Sequence, residues 1–274
     1  MAKRTRPPLK WAGGKFRLLD RILPALPAGK RLVEPFAGSG AVFLNADYPA
    51  FLLCDLNPDL INFYRVLVED GEGFIKQAQK LFRPEHNTGE AFYELRSRFN
   101  ASKLTPARAA LFLYLNRHAY NGLVRYNRQS EFNTPFGKYA APYFPRAELA
   151  AVLAKSRRAR LEFAALDFRG TFAALEPGDV VYCDPPYLPL SSTANFTAYT
   201  ADGFGPAEQK ELARCAEQAA GRGNPVVLSN HATDLAREIY GQAEIDCFAV
   251  RRCISRDGAN RAKALELLAV YKPS

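Results

Sequence analysis

Apolar positions along this chain follow two rhythms, and the switch between them divides it. Residues 31–34, with Leu32 and Val33 at their centre, and the apolar run at 51–54 read as short strands, and between them a Gly-rich turn at 35–40 leads into a helix at 41–46. An amphipathic stretch at 16–23, closed by Pro24 and Pro27, reads as a helix ahead of the first strand. From Asp59 onward the spacing is helical, with consecutive helices predicted at 60–69, 74–82, 90–99 and 107–115 and no strand among them. Residues 117–143 have no period and are dense in Asn, Tyr, Arg, Gly and Pro, the composition of an exposed loop built to touch something. After a helix at 147–154, strands return at 160–165, 179–183, 225–229, 245–250 and 264–270, which brings the total to seven. The predicted architecture is a doubly wound α/β domain formed by residues 1–56 and 146–274, with a helical module inserted at 57–145.

At 274 residues and 48% hydrophobic, the chain can close a substantial core. No apolar run approaches the roughly 20 residues of a membrane span, and the opening MAKRTRPPLKWAGGK lacks the apolar centre of a secretory signal. A cytoplasmic protein without membrane contact is expected. Cys54, Cys183, Cys215, Cys247 and Cys253 form no C-x-x-C pair, and His86, His118 and His231 lie far apart, so neither a zinc site nor a disulfide framework is expected. Charge changes the picture more. The net +9 is unevenly placed: residues 96–160 hold thirteen Lys or Arg against only Glu131 and Glu148, a local +11. Interleaved with Tyr and Phe, that excess fits a nucleic-acid footprint, the alternative being a merely solvated basic face.

Two short motifs carry chemistry. Glu34-Pro35-Phe36-Ala37-Gly38-Ser39-Gly40 lies between a strand and a helix, where glycines let the backbone approach a ligand. A dinucleotide fingerprint would need a third glycine where Phe43 stands. Ala12-Gly13-Gly14-Lys15 is no phosphate loop either, because Leu9 and Phe16 occupy its glycine and hydroxyl positions. Asp55, ending the second strand, can accept both hydroxyls of a ribose, and Gly38 to Gly40 can accommodate an amino-acid tail; together they suit S-adenosylmethionine. The competing reading makes Asp55 a helix N-cap.

Asp184-Pro185-Pro186-Tyr187 stands at the carboxyl end of a predicted strand, where ligands bind in open α/β sheets. The two prolines fix the backbone and remove two N–H donors. What remains are acceptors, the Asp184 carboxylate and the Pro185 carbonyl. An exocyclic amine offers two N–H bonds, so two acceptors hold it and draw electron density onto its nitrogen as a methyl cation approaches. Tyr187 offers a flat face for a base taken out of a duplex. The amine can lose its proton to solvent after transfer, so no tuned base is required. No Pro-Cys pair supplies a nucleophile for cytosine C5. The bland alternative is an ordinary Asp-Pro turn.

Lys10-Trp11-Ala12-Gly13-Gly14-Lys15, the Glu34 to Gly40 motif, Asn116-Arg117-His118-Ala119-Tyr120-Asn121-Gly122-Leu123-Val124-Arg125-Tyr126-Asn127, Phe132-Asn133-Thr134-Pro135-Phe136-Gly137 and Asp184 to Tyr187 together resemble the Dam family of DNA adenine methyltransferases. The similarity runs over nearly the whole chain. It implies a class I S-adenosylmethionine-dependent methyltransferase fold, Rossmann-like with a seven-stranded sheet, in which residues 57–145 form a DNA-recognition domain. It also implies methylation of adenine N6 in a GATC-type target on double-stranded DNA, S-adenosylhomocysteine as product, no metal, and a monomer in solution. By the same resemblance Trp11, Ala12, Gly13, Lys15, Glu34, Pro35, Phe36, Gly38, Ser39, Gly40, Asp55 and Asp184 hold the cofactor. Arg125 reads a guanine, Leu123 and Pro135 meet a thymine methyl, Lys10 touches a base beside the target, and Tyr120 and Asn121 fill the space left by the departing adenine. Arg117, Asn127, Asn133 and Lys138 complete the DNA contacts. From the residues alone, Tyr120 in a core and Arg125 on phosphate stay open. Two departures stand out: His118-Ala119 replaces a frequent aromatic-Gly pair, and Lys138 follows Phe-Gly where Arg is common, a point charge in place of a fork. The rivals are an RNA or protein-glutamine amino methyltransferase, which has no use for Leu123, Arg125 and Pro135, and a DNA-binding module on an inactive methyltransferase fold, against which intact Asp55 and Asp184 argue.

Overall fold

Each predicted strand forms. In the computed structural model, which describes residues 4–189, 204–250 and 264–273, these are β1 (Arg31–Glu34), β2 (Ala50–Cys54), β3 (Arg160–Ala164), β4 (Asp179–Cys183), β5 (Val226–His231), β6 (Glu244–Val250) and β7 (Ala264–Tyr271). They form one seven-stranded sheet in the order β3-β2-β1-β4-β5-β7-β6. β1 pairs with β4, β2 with β3 and β4 with β5 in parallel, whereas β7 runs antiparallel to β5 and β6. β1, β2 and β4 are buried along their whole length, so none of them shows the apolar–polar alternation of a half-exposed strand. Strand order climbs from β1 toward β3 on one side and from β4 onward on the other. That reversal is the topological switch point at which open α/β sheets bind ligands.

The chain packs as two compact units, Met1–Leu23 with Ala37–Ala165, and Pro24–Phe36 with Leu166–Ser274. The first holds α2 (Ala41–Asn45), α3 (Pro58–Asp70), α4 (Glu72–Gln79), α5 (Gly89–Ala101), α6 (Pro106–His118) and α7 (Arg146–Ser156), following α1 (Leu19–Ala25), which leads out of it. Three helices begin on side-chain caps: Asn57 accepts from the N–H groups of Asp59 and Leu60, Thr88 from Ala91, and Thr105 from Arg108. α6 is buried from Ala109 to His118 and so carries no amphipathic stripe. Against it pack α3, α4 and α5. A buried ion pair locks this bundle: Arg108 donates to both oxygens of Asp59 at 2.5 and 3.0 Å, and the Tyr126 hydroxyl adds a third bond to Asp59 at 2.7 Å.

The second unit adds α8 (Phe168–Ala173), α9 (Pro206–Gly221) and α10 (Asp234–Ile239). Arg31 and Asp179 form a buried fork at 2.9 and 2.7 Å that ties β1 to β4. Several boundaries differ from the predicted ones, and two of the differences have a clear local cause. α1 takes Pro24 into its last turn, where a proline removes only one terminal hydrogen bond. α6 runs on to His118, because a buried aromatic contact outweighs the polar composition that reads as loop: the His118 ring stacks on Tyr114 at 3.9 Å. Cys54, Cys183 and Cys215 are buried and Cys247 half-buried; Cys253 lies outside the described residues.

Candidate functional site

Gly38 and Gly40 of the first unit have φ of 49° and 71°, in the left-handed region. A Cβ on Gly38 would stand 3.0 Å from Cδ1 and Nε1 of the Trp11 indole, and one on Gly40 would stand 3.0 Å from the Tyr64 hydroxyl. Both backbone and space therefore demand glycine. The Tyr64 hydroxyl donates to the Ser39 carbonyl at 2.6 Å, and Ala37 N–H donates to the Cys54 carbonyl at 2.9 Å, fastening the turn to the end of β2. There Asp55 accepts the Gly38 N–H at Oδ2 (3.1 Å) and the Asn57 N–H at Oδ1 (3.0 Å). A carboxylate has roughly four acceptor positions, so these bonds leave capacity on each oxygen. Burial raises the Asp55 pKa against the opposing pull of the two N–H groups. The cap of α3 is Asn57, so Asp55 is not the N-cap that the sequence left open. Lys15 is buried, its Nζ bonded to the Gly13 carbonyl, while Ala12 and Gly13 are exposed and Trp11 is half-buried. An indole, a cradle closed to any Cβ and a carboxylate with spare acceptors together fit the ribose and amino-acid portions of S-adenosylmethionine.

In the second unit β1 and β4 lie side by side, so Glu34, Pro35 and Phe36 emerge beside Asp184, Pro185, Pro186 and Tyr187. Phe36 stacks on Phe168 (6.0 Å between centroids) and meets Phe204 edge-on at 5.5 Å, an apolar wall. The Ser229 hydroxyl, from β5, lies 3.1 Å from Asp184 Oδ1, and the Tyr182 hydroxyl lies 3.1 Å from Ser229. Ser229 has one hydrogen; with that hydrogen on Asp184, Tyr182 donates to Ser229, and the chain of bonds ends on the carboxylate. Burial, Asp184 and Glu34 all raise the Tyr182 pKa, which keeps it a donor. Tyr187 is partly exposed, its ring edge-on to His231 at 4.8 Å and its hydroxyl donating to Glu266 Oε2 at 3.2 Å. Its pKa is likewise raised, first by burial of the hydroxyl end and then by the Asp184 charge.

The loop between α6 and α7 is pinned by bridges Ala119↔Phe136 and Tyr126↔Phe132. Tyr120 is 54% exposed and Leu123 40%, which removes the core reading of Tyr120; Asn121, Arg125, Pro135 and Lys138 are exposed as well. Asn121 and Lys138 both have φ of 53°. Arg125 donates through Nε to Asn133 Oδ1 at 2.8 Å, and the Asn133 N–H donates to the Arg125 carbonyl at 3.0 Å, so the guanidinium is aimed by its neighbour. The buried Asn116 amide clasps the Lys10 backbone, accepting its N–H at 2.9 Å and donating to its carbonyl at 2.7 Å. Lys10 Nζ lies 4.2 Å over the Tyr139 ring, with its pKa lowered by burial and by Arg117. Arg117 and Asn127 are placed differently. Arg117 is 8% exposed, its guanidinium bonded to the Pro8 carbonyl. The Asn127 side chain accepts from Gln129 and Glu131 N–H and donates to Glu131 Oε2, closing its own turn. His118, the departure noted above, is buried with its pKa pushed down to about 4 chiefly by burial, and is neutral.

Ser229, His231 and Glu266 have no site role predicted from the sequence. The available signal is Ser229-Asn230-His231, polar residues breaking an apolar run at the carboxyl end of a strand, the same position that marks Asp184. Among the described residues no His, Cys, Asp and Glu cluster is built to hold a metal ion, and no helix is long and apolar enough to cross a membrane.

The chain is similar to known proteins over nearly its whole length. The profile of the D12 class N6 adenine-specific DNA methyltransferases matches residues 11–251. The DNA adenine methylase of Serratia marcescens is 50% identical over 98% of this chain and 100% of its own length. That of Escherichia coli strain K12 is 49% identical, covering 99% and 97% respectively. One from Vibrio cholerae is 46% identical over 99% and 98%. The chain therefore belongs to the D12 class of N6 adenine-specific DNA methyltransferases, enzymes that act on DNA adenine with S-adenosylmethionine as methyl donor.

Proposed function

We propose that the chain methylates adenine N6 within GATC, that Asp184, Pro185, Pro186 and Tyr187 form the methyl-acceptor site, and that residues 57–145 are the target-recognition module. The observation that carries the site assignment is the elbow itself: a carboxylate fixed by Ser229 at 3.1 Å, followed by two prolines that offer carbonyls and no N–H. The Asp184 carboxylate and Pro185 carbonyl accept the two N6 hydrogens, which orients the nitrogen lone pair and opposes charge build-up on the amine during transfer. Tyr187 stacks on the extruded base with its ring plane set by His231 and Glu266. Trp11, Ala12, Gly13, Lys15, Gly38, Ser39, Gly40 and Asp55 bind the donor, with Asp55 accepting ribose hydroxyls; Glu34, Pro35 and Phe36 line the end of β1. S-adenosylmethionine, when bound, supplies an electrophilic methyl group. The N6 proton leaves to solvent.

On DNA, Arg125 reads guanine through the terminal nitrogens of a guanidinium aimed by Asn133, and Leu123 and Pro135 meet the thymine methyl. Tyr120 and Asn121 occupy the vacated stack, and Lys10 and Lys138 contact the flanking bases and backbone. Arg117 and Asn127 act from within, shaping the loop that presents the others. The enzyme works as a monomer in the cytoplasm, on the nucleoid. The test is transfer of tritiated methyl to a duplex with one GATC and to the same duplex with that site scrambled, read also with a nuclease that cuts GATC in only one methylation state. Incorporation confined to the GATC duplex is expected; equal labelling of both contradicts the target assignment.

A further inference from the structure

Two buried amides of the second unit grip the elbow on either side of Tyr187. Gln209, from the first turn of α9, donates Nε2 to the Pro186 carbonyl at 2.7 Å. Asn230, near the end of β5, accepts the Leu188 N–H on Oδ1 at 3.0 Å. The amides also bond each other, Asn230 Nδ2 to Gln209 Oε1 at 3.2 Å, and the Tyr240 hydroxyl joins both, donating to Gln209 Oε1 and lying 3.3 Å from Asn230 Nδ2. Gln209, Asn230 and Tyr240 are all 0% exposed.

The polarity of this network admits one arrangement. Facing the Pro186 carbonyl, Gln209 must present its NH₂, so its oxygen turns to Asn230 and Tyr240. Asn230 then presents NH₂ to Gln209 and its oxygen to the N–H groups of Leu188 and His231, the latter at 2.8 Å. Reversing either amide sets donor against donor. Three fully buried polar side chains oppose folding unless every bond is made. Two of the bonds they make fall on backbone groups of the elbow, which no strand ladder serves.

We propose that Gln209 and Asn230 are positioning residues for methyl transfer. Together they fix both peptide planes flanking Tyr187. By engaging the carbonyl of Pro186 they make that of Pro185, beside Asp184, the one that meets the target amine. This rests on the assignment of Asp184 to Tyr187 as the acceptor site. A loosened elbow misplaces the amine without touching donor or DNA, so the effect falls on the chemical step.

The test uses Gln209→Met, which keeps volume and removes the donor, and Tyr240→Phe, which removes the hydroxyl bonded to both amides and leaves the ring in place. Single-turnover methyl transfer is compared with the dissociation constants for S-adenosylmethionine and a GATC duplex, with Asp184→Ala run alongside. Gln209→Met is expected to slow transfer roughly tenfold to a hundredfold, the scale of a misplacement of about 1 Å, and Tyr240→Phe to slow it less, with both dissociation constants near those of the parent. Should Gln209→Met fail to fold, Tyr240→Phe decides. Parent-like transfer by folded variants overturns the clamp while an inactive Asp184→Ala leaves the acceptor site standing. Parent-like transfer by Asp184→Ala overturns the acceptor site and the clamp with it.

Discussion

Asp55 faces opposing demands. Burial pushes its pKa up, yet the ionised carboxylate is the better acceptor for two ribose hydroxyls. A carboxyl whose pKa is raised in the fold binds its proton more readily, so donor binding is lost as pH falls through that raised value. The loss therefore sets in at higher pH than an ordinary aspartate near 3.9 would dictate. Titration calorimetry of S-adenosylmethionine across acid pH checks this. The parent is expected to lose affinity on the acid side, and Asp55→Ala to bind about tenfold or more weakly at neutral pH, with a flatter profile, since hydrogen bonds to charged groups contribute about 1.5–3 kcal/mol each. Identical profiles for the two proteins contradict the role. At the same scale, the glycines were legible for the right reason: a left-handed φ and an indole 3.0 Å from the missing Cβ are what a Gly-Ser-Gly turn exists to permit. Arg117 was not. Its carbonyl partner, Pro8, lies 109 residues away in sequence, and nothing local separates an arginine buried on a carbonyl from one facing phosphate.

Among the elements, strands were read nearly residue for residue, and for β2 and β4 the reason is burial on both faces, which leaves an apolar run that polar loops interrupt. The Asp184 elbow was legible with them, since a strand end is a local feature. Its supports were not: Ser229 is 45 residues from Asp184, and Gln209 sits 23 residues from Pro186 in a helix whose other features are ordinary. The helical segment depends on a contact of the same long-range kind. Asp59 and Arg108 are 49 residues apart, with side chains 3% and 11% exposed, and Tyr126 extends their pairing to the loop between α6 and α7. Removing one partner leaves a buried charge uncompensated. Asp59→Ala is therefore expected to destabilise the protein by about 3–5 kcal/mol, seen as a lower urea midpoint with donor affinity measured on the folded fraction unchanged. An unaltered midpoint contradicts this account of the bundle.

For the whole molecule, charge and motifs converge. Residues 96–160 carry a local +11 inside a chain of net +9, and that stretch contains the exposed Tyr120, Leu123 and Arg125. The α/β sheet anticipated from the alternation of strands and helices has seven strands, as a class I methyltransferase requires, and family membership sets aside RNA and protein glutamine as the substrate. Domain limits followed the helical rhythm at 57–145, whereas the compact units join that segment to Ala37–Cys54 and to α7, because α3 packs on α7 and on β3. A rhythm in sequence marks where helices lie, and packing decides what they lie against. The proposed chemistry turns on one carboxylate, and single-turnover methyl transfer by Asp184→Asn to a GATC duplex tests it most directly. The substitution keeps shape and an oxygen for Ser229 but turns an NH₂ toward the amine. A fall in rate of about a hundredfold or more, with donor and DNA bound as by the parent, is the expected result; transfer at the parent's rate would contradict it.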